Sequence, residues 1–175
     1  MSLTDDLVQI RDRVLPNDPS FRRVDGALIE SCIADCHRSA SKGARDAFLL
    51  SAMRLLALPG NGHTRLIPND AISVLPLRLV SAGRGVHVVG ASRGEVIAVG
   101  GVPVAELEER AEVYLAGTRQ RMRVIGPILL AWPAALAQLG VPSVGGATEY
   151  RVRRKDGQVP SLTLAHDDVV PASTL

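Results

Sequence analysis

The apolar pattern of this chain changes its period at Pro68, and that switch constrains the fold more than any other feature. Upstream of it, hydrophobic residues recur at the spacing of amphipathic helices. Leu3, Leu7, Ile10 and Val14 share one face of a first helix; Thr4 is its expected N-cap, with Asp5 and Asp6 in the positive first turn. Pro16 and Pro19 end it. Asp25 caps a second helix running to about His37, with Leu28, Ile29, Cys32, Ile33 and Cys36 as its stripe. Ala44 to Leu58 makes a third. Ala44, Ala47, Phe48, Ser51, Ala52 and Leu55 trace one face of it, and Leu49, Leu50, Met53 and Leu56 make the other faces apolar, so this helix is expected to be nearly buried. Pro59-Gly60 stops it.

Downstream of Pro68 the runs are short and β-branched. Ile72 to Val80 alternates, with Pro76 marking an edge or a strand start. Val86 to Ala91 and Glu95 to Val99 follow between glycine turns, and the first is one candidate edge to which an extended peptide could add as a strand. Pro103 is expected to open a helix that Gly117 closes, and a further helical pattern from about Arg121 to Leu139 is broken at Pro133. Thr148 to Lys155 and Val159 to Ala165 flank Asp156-Gly157, a hairpin signal. The order predicts an α+β chain: an N-terminal helical bundle, a small sheet with flanking helices, and a C-terminal β-hairpin. The expected divisions are a helical cap over 1–68, an α+β subdomain over 69–166 and a tail or linker over 167–175.

Composition narrows the partners. Hydrophobic residues make up 46% of 175, but aromatics only 3%, so the core must be built from Leu, Val, Ile and Ala. A net charge of +2 is no electrostatic footprint for nucleic acid. No apolar run approaches the length of a membrane span. Met1 to Asp12 is polar and acidic and carries no export signal, although Met1-Ser2-Leu3 reads as a cloning remnant. Cys32 and Cys36 read as small reduced core residues, which favours the cytoplasm. No metal site and no cofactor are expected.

One stretch carries candidate chemistry: Leu58-Pro59-Gly60-Asn61-Gly62-His63-Thr64-Arg65-Leu66. A histidine on a tight glycine turn after a rigid helix is well placed for a general base, His63. Asn61, Thr64 and Arg65 are the candidate binding residues, Thr64 bonding back to the turn and Arg65 acting as a carboxylate clamp. The plainer alternative is a solvated turn. His37, His87 and His166 are weaker candidates, His87 reading as an exposed β-face residue. Ser143-Val144-Gly145-Gly146 is the nearest approach to a nucleophile beside amide donors, and its default reading is a turn. The runs Arg119, Arg121, Arg123 and Arg151, Arg153, Arg154, Lys155 read as solvated faces or as a patch for an acidic partner.

Gly60-Asn61-Gly62-His63-Thr64, then Leu75-Pro76-Leu77 with Gly85-Val86-His87-Val88-Val89, then Gly94 to Val104, then Leu136 to Gly140 ahead of the hairpin, stand in a familiar order. The chain resembles the N-terminal region of carboxyl-terminal-processing and tricorn-type serine peptidases. The resemblance implies that the sheet is PDZ-like, that a peptide or protein substrate is gripped, and that the catalytic serine lies in a core domain joined in cis. In the tricorn branch the basic partner is a histidine placed like His63. Asn61 departs from the aspartate usual in the family. On this reading the chain is a non-catalytic part of a serine peptidase, inactive alone. The alternative is a stand-alone peptide-binding module without enzymatic activity.

Overall fold

The structure, a computed structural model, describes residues 2–68, 72–90 and 92–174. The chain divides into two compact units, Met1–Pro68 with Glu112–Met122, and Asn69–Ala111 with Arg123–Leu175. Its class is α+β, as the change of period predicts. The expected boundary at 69, the end of a strand at Ala91 and the terminal Leu175 lie outside the described residues.

The first unit is helical. Helix α1 (Leu3–Gln9) is capped by Ser2, not by Thr4. The Ser2 hydroxyl accepts the Asp5 N–H at 3.2 Å and the Asp5 carboxylate accepts the Ser2 N–H at 2.8 Å, a reciprocal box that Thr4, already the second residue of the helix, stands too late to make. A π-helical turn (Ile10–Val14) and the one-turn helix α2 (Leu15–Asn17) follow, then a 3-10 turn over Pro19–Arg23. Helix α3 (Gly26–Ser41) starts at Asp25, whose carboxylate accepts the Ala27 N–H at 2.9 Å. It packs along α4 (Arg45–Ala57), in which Phe48, Leu49, Leu50, Ala52, Met53, Leu55 and Leu56 are all buried. A 3-10 turn at Glu112–Tyr114 also lies against α4. Burial on every face except the Arg45, Asp46 and Arg54 side fixes where α4 ends, and so where the histidine turn begins.

The second unit is built on an antiparallel sheet of order β2-β3-β4-β6-β7: Leu79–Ala82, Gly85–Val88, Gly94–Val99, Ala147–Arg153 and Ser161–Ala165. Strand β5 (Val102–Pro103) pairs with β4, and β1 (Ser73–Val74) pairs with β8 (Val170–Pro171). One face is core: Val86, Val88, Val96, Thr148, Tyr150 and Val152 are buried, and β6 alternates strictly between buried and exposed. Helix α5 (Val104–Ala111) packs against β4 and buries Leu107, and Leu129, Leu130, Trp132 and, on α7 (Pro133–Gln138), Leu136 are buried in the same unit. The expected helix from about Arg121 is not broken at Pro133: α6 (Arg119–Ile125) ends before Gly126, and Pro133 opens α7 at its first position, where its missing N–H costs nothing. Trp132 is extended, as a residue before proline must be. The Tyr150 hydroxyl donates to the Leu130 carbonyl at 2.6 Å, satisfying the one polar atom of a fully buried ring.

Several expectations change. Ile72 to Val80 is not one strand; the Leu75 N–H is drawn to the Ala131 carbonyl at 2.8 Å, and the run splits around Pro76 into β1 and β2. Pro103 closes β5, and the helix opens at Val104. Strand β3, within the candidate peptide edge Val86 to Ala91, lies between β2 and β4 with both sides paired. Its edge is therefore closed, and β2 and β7 stand at the ends of the strand order. The stretch expected as a tail holds two 3-10 turns, His166–Asp168 and Ala172–Thr174, and strand β8 between them. Among the described residues no helix is long and apolar enough to cross a membrane.

Candidate functional site

The turn after α4 is fixed by its own side chains. Gly60, at φ +68°, reverses the chain as the Gly60 N–H closes onto the Ala57 carbonyl at 2.9 Å. The Asn61 side-chain oxygen then accepts the N–H groups of His63 (2.7 Å) and Thr64 (3.1 Å), an Asx turn. With that oxygen committed, the amide nitrogen must point the other way. It donates to the Asp18 carboxylate at 2.9 Å and to the Ser20 hydroxyl at 2.8 Å.

Asp18 is the anchor. The Thr64 hydroxyl also donates to it, and so do the Ser20 hydroxyl (2.6 Å) and the Ser20 N–H (2.9 Å). These donors, led by the hydroxyls of Ser20 and Thr64, hold its pKa down at about 2. The turn is thus tied to the 3-10 segment through contacts 43 residues apart in sequence. The network also accounts for Asn61 where the resemblance has aspartate: a second carboxylate would face Asp18 with nothing to donate. Thr64 does stabilise the turn, through its N–H, while its hydroxyl serves Asp18.

The opposite side of the turn is closed by backbone. A Cβ on Gly62 would stand 3.2 Å from the Gly117 Cα and 2.9 Å from Arg121 Nη1; one on Gly117, at φ +111°, would stand 3.0 Å from the Gly62 Cα. Two glycines therefore permit an approach that no other residue pair allows. Arg121, expected as a solvated residue, is half-buried beside them. Arg65 donates from Nη1 to the Gly62 carbonyl at 2.7 Å, and its Nε is buried without a partner. Its guanidinium braces the turn from within.

His63 is left at the tip. Its side chain is exposed and, among the described residues, no hydrogen bond reaches its ring.

The other candidates are placed differently. His166 Nε2 lies 2.8 Å from the Thr148 hydroxyl, but Thr148 is 1% exposed and no substrate carbonyl can reach it. His37 is exposed on α3. His87 is half-buried on the outward sheet face, opposite Val80 and Glu95. Ser143 makes a weak 3.4 Å bond to the Ala147 carbonyl in an exposed glycine turn. Gly90-Ala91-Ser92-Arg93-Gly94 also spells the Gly-x-Ser-x-Gly pattern. It joins two antiparallel strands, β3 and β4, whereas a nucleophile elbow needs a strand-to-helix turn. No hydrogen bond joins Ser92 to an imidazole among the described residues, and there no three His, Cys, Asp or Glu side chains gather as a metal group. Cys32 and Cys36 are free thiols buried on one face of α3, and burial pushes the Cys36 thiol up to about 12. Asp18, Ser20 and Gly117 are the site residues the sequence did not reveal. Asp18-Pro19-Ser20 does carry a local N-cap signal, but nothing in it points to Asn61.

No protein-family model matches this chain, and no curated protein or solved structure matches it either.

Proposed function

We propose that this chain is the non-catalytic, peptide-gripping part of a serine peptidase of the carboxyl-terminal-processing or tricorn type, and that it lends His63 to a reaction centre completed by a core domain in cis. The observation that carries this reading is the contrast at the turn: its backbone is held from both sides, and among the described residues no hydrogen bond holds its imidazole. A general base needs a fixed position and an accessible ring nitrogen, and rigid support is what makes such a group effective. Asn61, Thr64 and Arg65 serve that position. The grip on peptide falls to β7, which pairs with β6 on one side and with no other described strand on the second. An extended peptide adds there as a further strand.

A second reading, a stand-alone peptide-binding module, is favoured by one specific observation: the hydroxyl–imidazole pair that does exist, Thr148 with His166, is covered. Both readings predict binding without turnover by the chain alone. The test is calorimetry and mass spectrometry on the purified chain with a panel of extended peptides. Binding with every peptide recovered intact supports the proposal. Cleavage blocked by a serine-directed inhibitor, or no binding across the panel, refutes it. Between the two readings, a gene that continues into a serine-bearing core decides for the peptidase, and His63→Ala in that longer protein should then lower the chemical rate by ~10²–10⁴-fold.

A further inference from the structure

We propose that the open groove where β3, β4 and β6 end binds an acidic peptide segment through Arg93, Arg154 and Lys155. The groove has a volume of about 890 Å³ and lies wholly within the second unit. Its charges are not balanced. Arg93, Arg153, Arg154 and Lys155 line it against Glu95 and Asp156. Glu95 is paired with Arg153 at 3.1 Å, and the two stand opposite each other in the β4–β6 register. The Asp156 carboxylate accepts the Gln158 N–H at 3.0 Å within the hairpin. Arg93, Arg154 and Lys155 are exposed, and among the described residues none has a carboxylate partner.

The backbone that carries two of these cations is fixed. The Arg154 N–H donates to the Gln158 carbonyl at 2.8 Å and the Gly157 N–H to the Arg154 carbonyl at 3.0 Å, which closes the hairpin that carries Arg154 and Lys155. Less backbone freedom is then lost when a ligand binds. At the groove's edge a Cβ on Gly94 would stand 2.5 Å from the Arg153 carbonyl oxygen and 2.6 Å from Val152 Cγ1, so β4 and β6 approach there more closely than another residue would allow. Val89, 40% exposed, offers an apolar contact beside the charges.

These features select among anions. Arginine forks match carboxylates two bonds at a time, and an exposed valine suits the aliphatic stem of a glutamate. A nucleic acid strand is disfavoured: no Phe, Tyr or Trp lines the groove for base stacking, His87 being its one ring, and Glu95 and Asp156 interrupt the positive track a phosphate backbone needs. This proposal stands on the groove alone, whether or not the peptidase reading holds.

The test is fluorescence anisotropy with a labelled glutamate-rich peptide, a lysine-rich peptide of equal length and a single-stranded oligonucleotide of equal length. The expected result is saturable binding of the acidic peptide at low salt, weakened at high salt. Binding should fall at least about fivefold in the double reversal Arg154→Glu, Lys155→Glu, since partly exposed charge pairs contribute modestly. Arg93→Glu should weaken it as well, and serves if the double variant fails to fold. Arg23→Glu, in the first unit, should leave it unchanged. No binding of the acidic peptide, binding indifferent to all the groove reversals, or an oligonucleotide held as tightly as the peptide would overturn the proposal.

Discussion

Gly117→Ala tests how the histidine turn is held. The new Cβ would meet the Gly62 Cα at 3.0 Å and Arg121 Cδ at 3.1 Å. The arginine stem swings away at little cost, but the Gly62 backbone moves only if the whole turn moves. Two penalties therefore add. An L-residue forced to φ +111° loses ~1–3 kcal/mol, and overpacking against backbone loses ~1–3 kcal/mol. Restricting the unfolded chain returns ~0.4–1 kcal/mol. The expected net loss is about 1–6 kcal/mol, centred near 3. Gly60→Ala is the control: φ is +68° but nothing lies within 4 Å of the added atom, so only the backbone term of ~1–2 kcal/mol remains. Urea denaturation followed by the helical circular-dichroism signal measures both. Amide exchange at His63 gives the second readout, since displacing the turn loosens the bond from its N–H to Asn61. A Gly117→Ala protein no less stable than Gly60→Ala, with His63 exchange unchanged, would show that residue 117 does not close the turn.

Asn61→Asp keeps the acceptor for His63 and Thr64 but replaces two donors with a carboxylate facing Asp18. Stability should fall at neutral pH and recover in part as pH drops through the carboxylate range and one of the pair takes a proton; an equal loss at both pH values contradicts this. In the unaltered chain the folded pKa of Asp18, about 2, lies below the ordinary 3.8, so its contribution is complete above 3.8 and disappears as pH falls through about 2. Asp18→Asn should flatten that acid limb of the stability curve, and an unchanged limb counts against the network. Cys36 should react with a thiol reagent only at the rate at which the helical unit opens, because the thiol is fully buried and stays protonated; reaction at the rate of a free thiol in native protein refutes its placement.

The parts of this fold that were legible in the sequence are those set by local chemistry. The buried character of α4 follows from Leu49, Leu50, Met53 and Leu56 filling its remaining faces, and the hairpin follows from Asp156-Gly157, whose glycine sits at φ +83°. Asp25 caps α3 because its carboxylate needs only the second N–H after it. What stayed hidden depends on partners far along the chain. Val86 to Val88 has the composition of any strand, and only its pairing with β2 and β4 makes it central. Gly62 and Gly117 are each unremarkable in sequence, and become necessary only where their backbones meet. The histidine turn was legible as a turn; its anchor at Asp18 was not, because a carboxylate's long-range donors leave no mark on its neighbours. Ser2, set aside as a remnant, turns out to cap α1 through Asp5, three residues on.

The measurement that bears most directly on the proposed role is a backbone-amide NMR titration of the isotopically labelled chain with an extended, uncharged peptide bearing a free carboxyl terminus. The account predicts progressive, saturable shifts along Ser161–Ala165, where the peptide adds to β7, with the amides of Val86 to Val88 undisturbed inside the sheet and the peptide intact at the end. Shifts absent from β7 at saturating peptide, or a peptide cleaved in the tube, would contradict it.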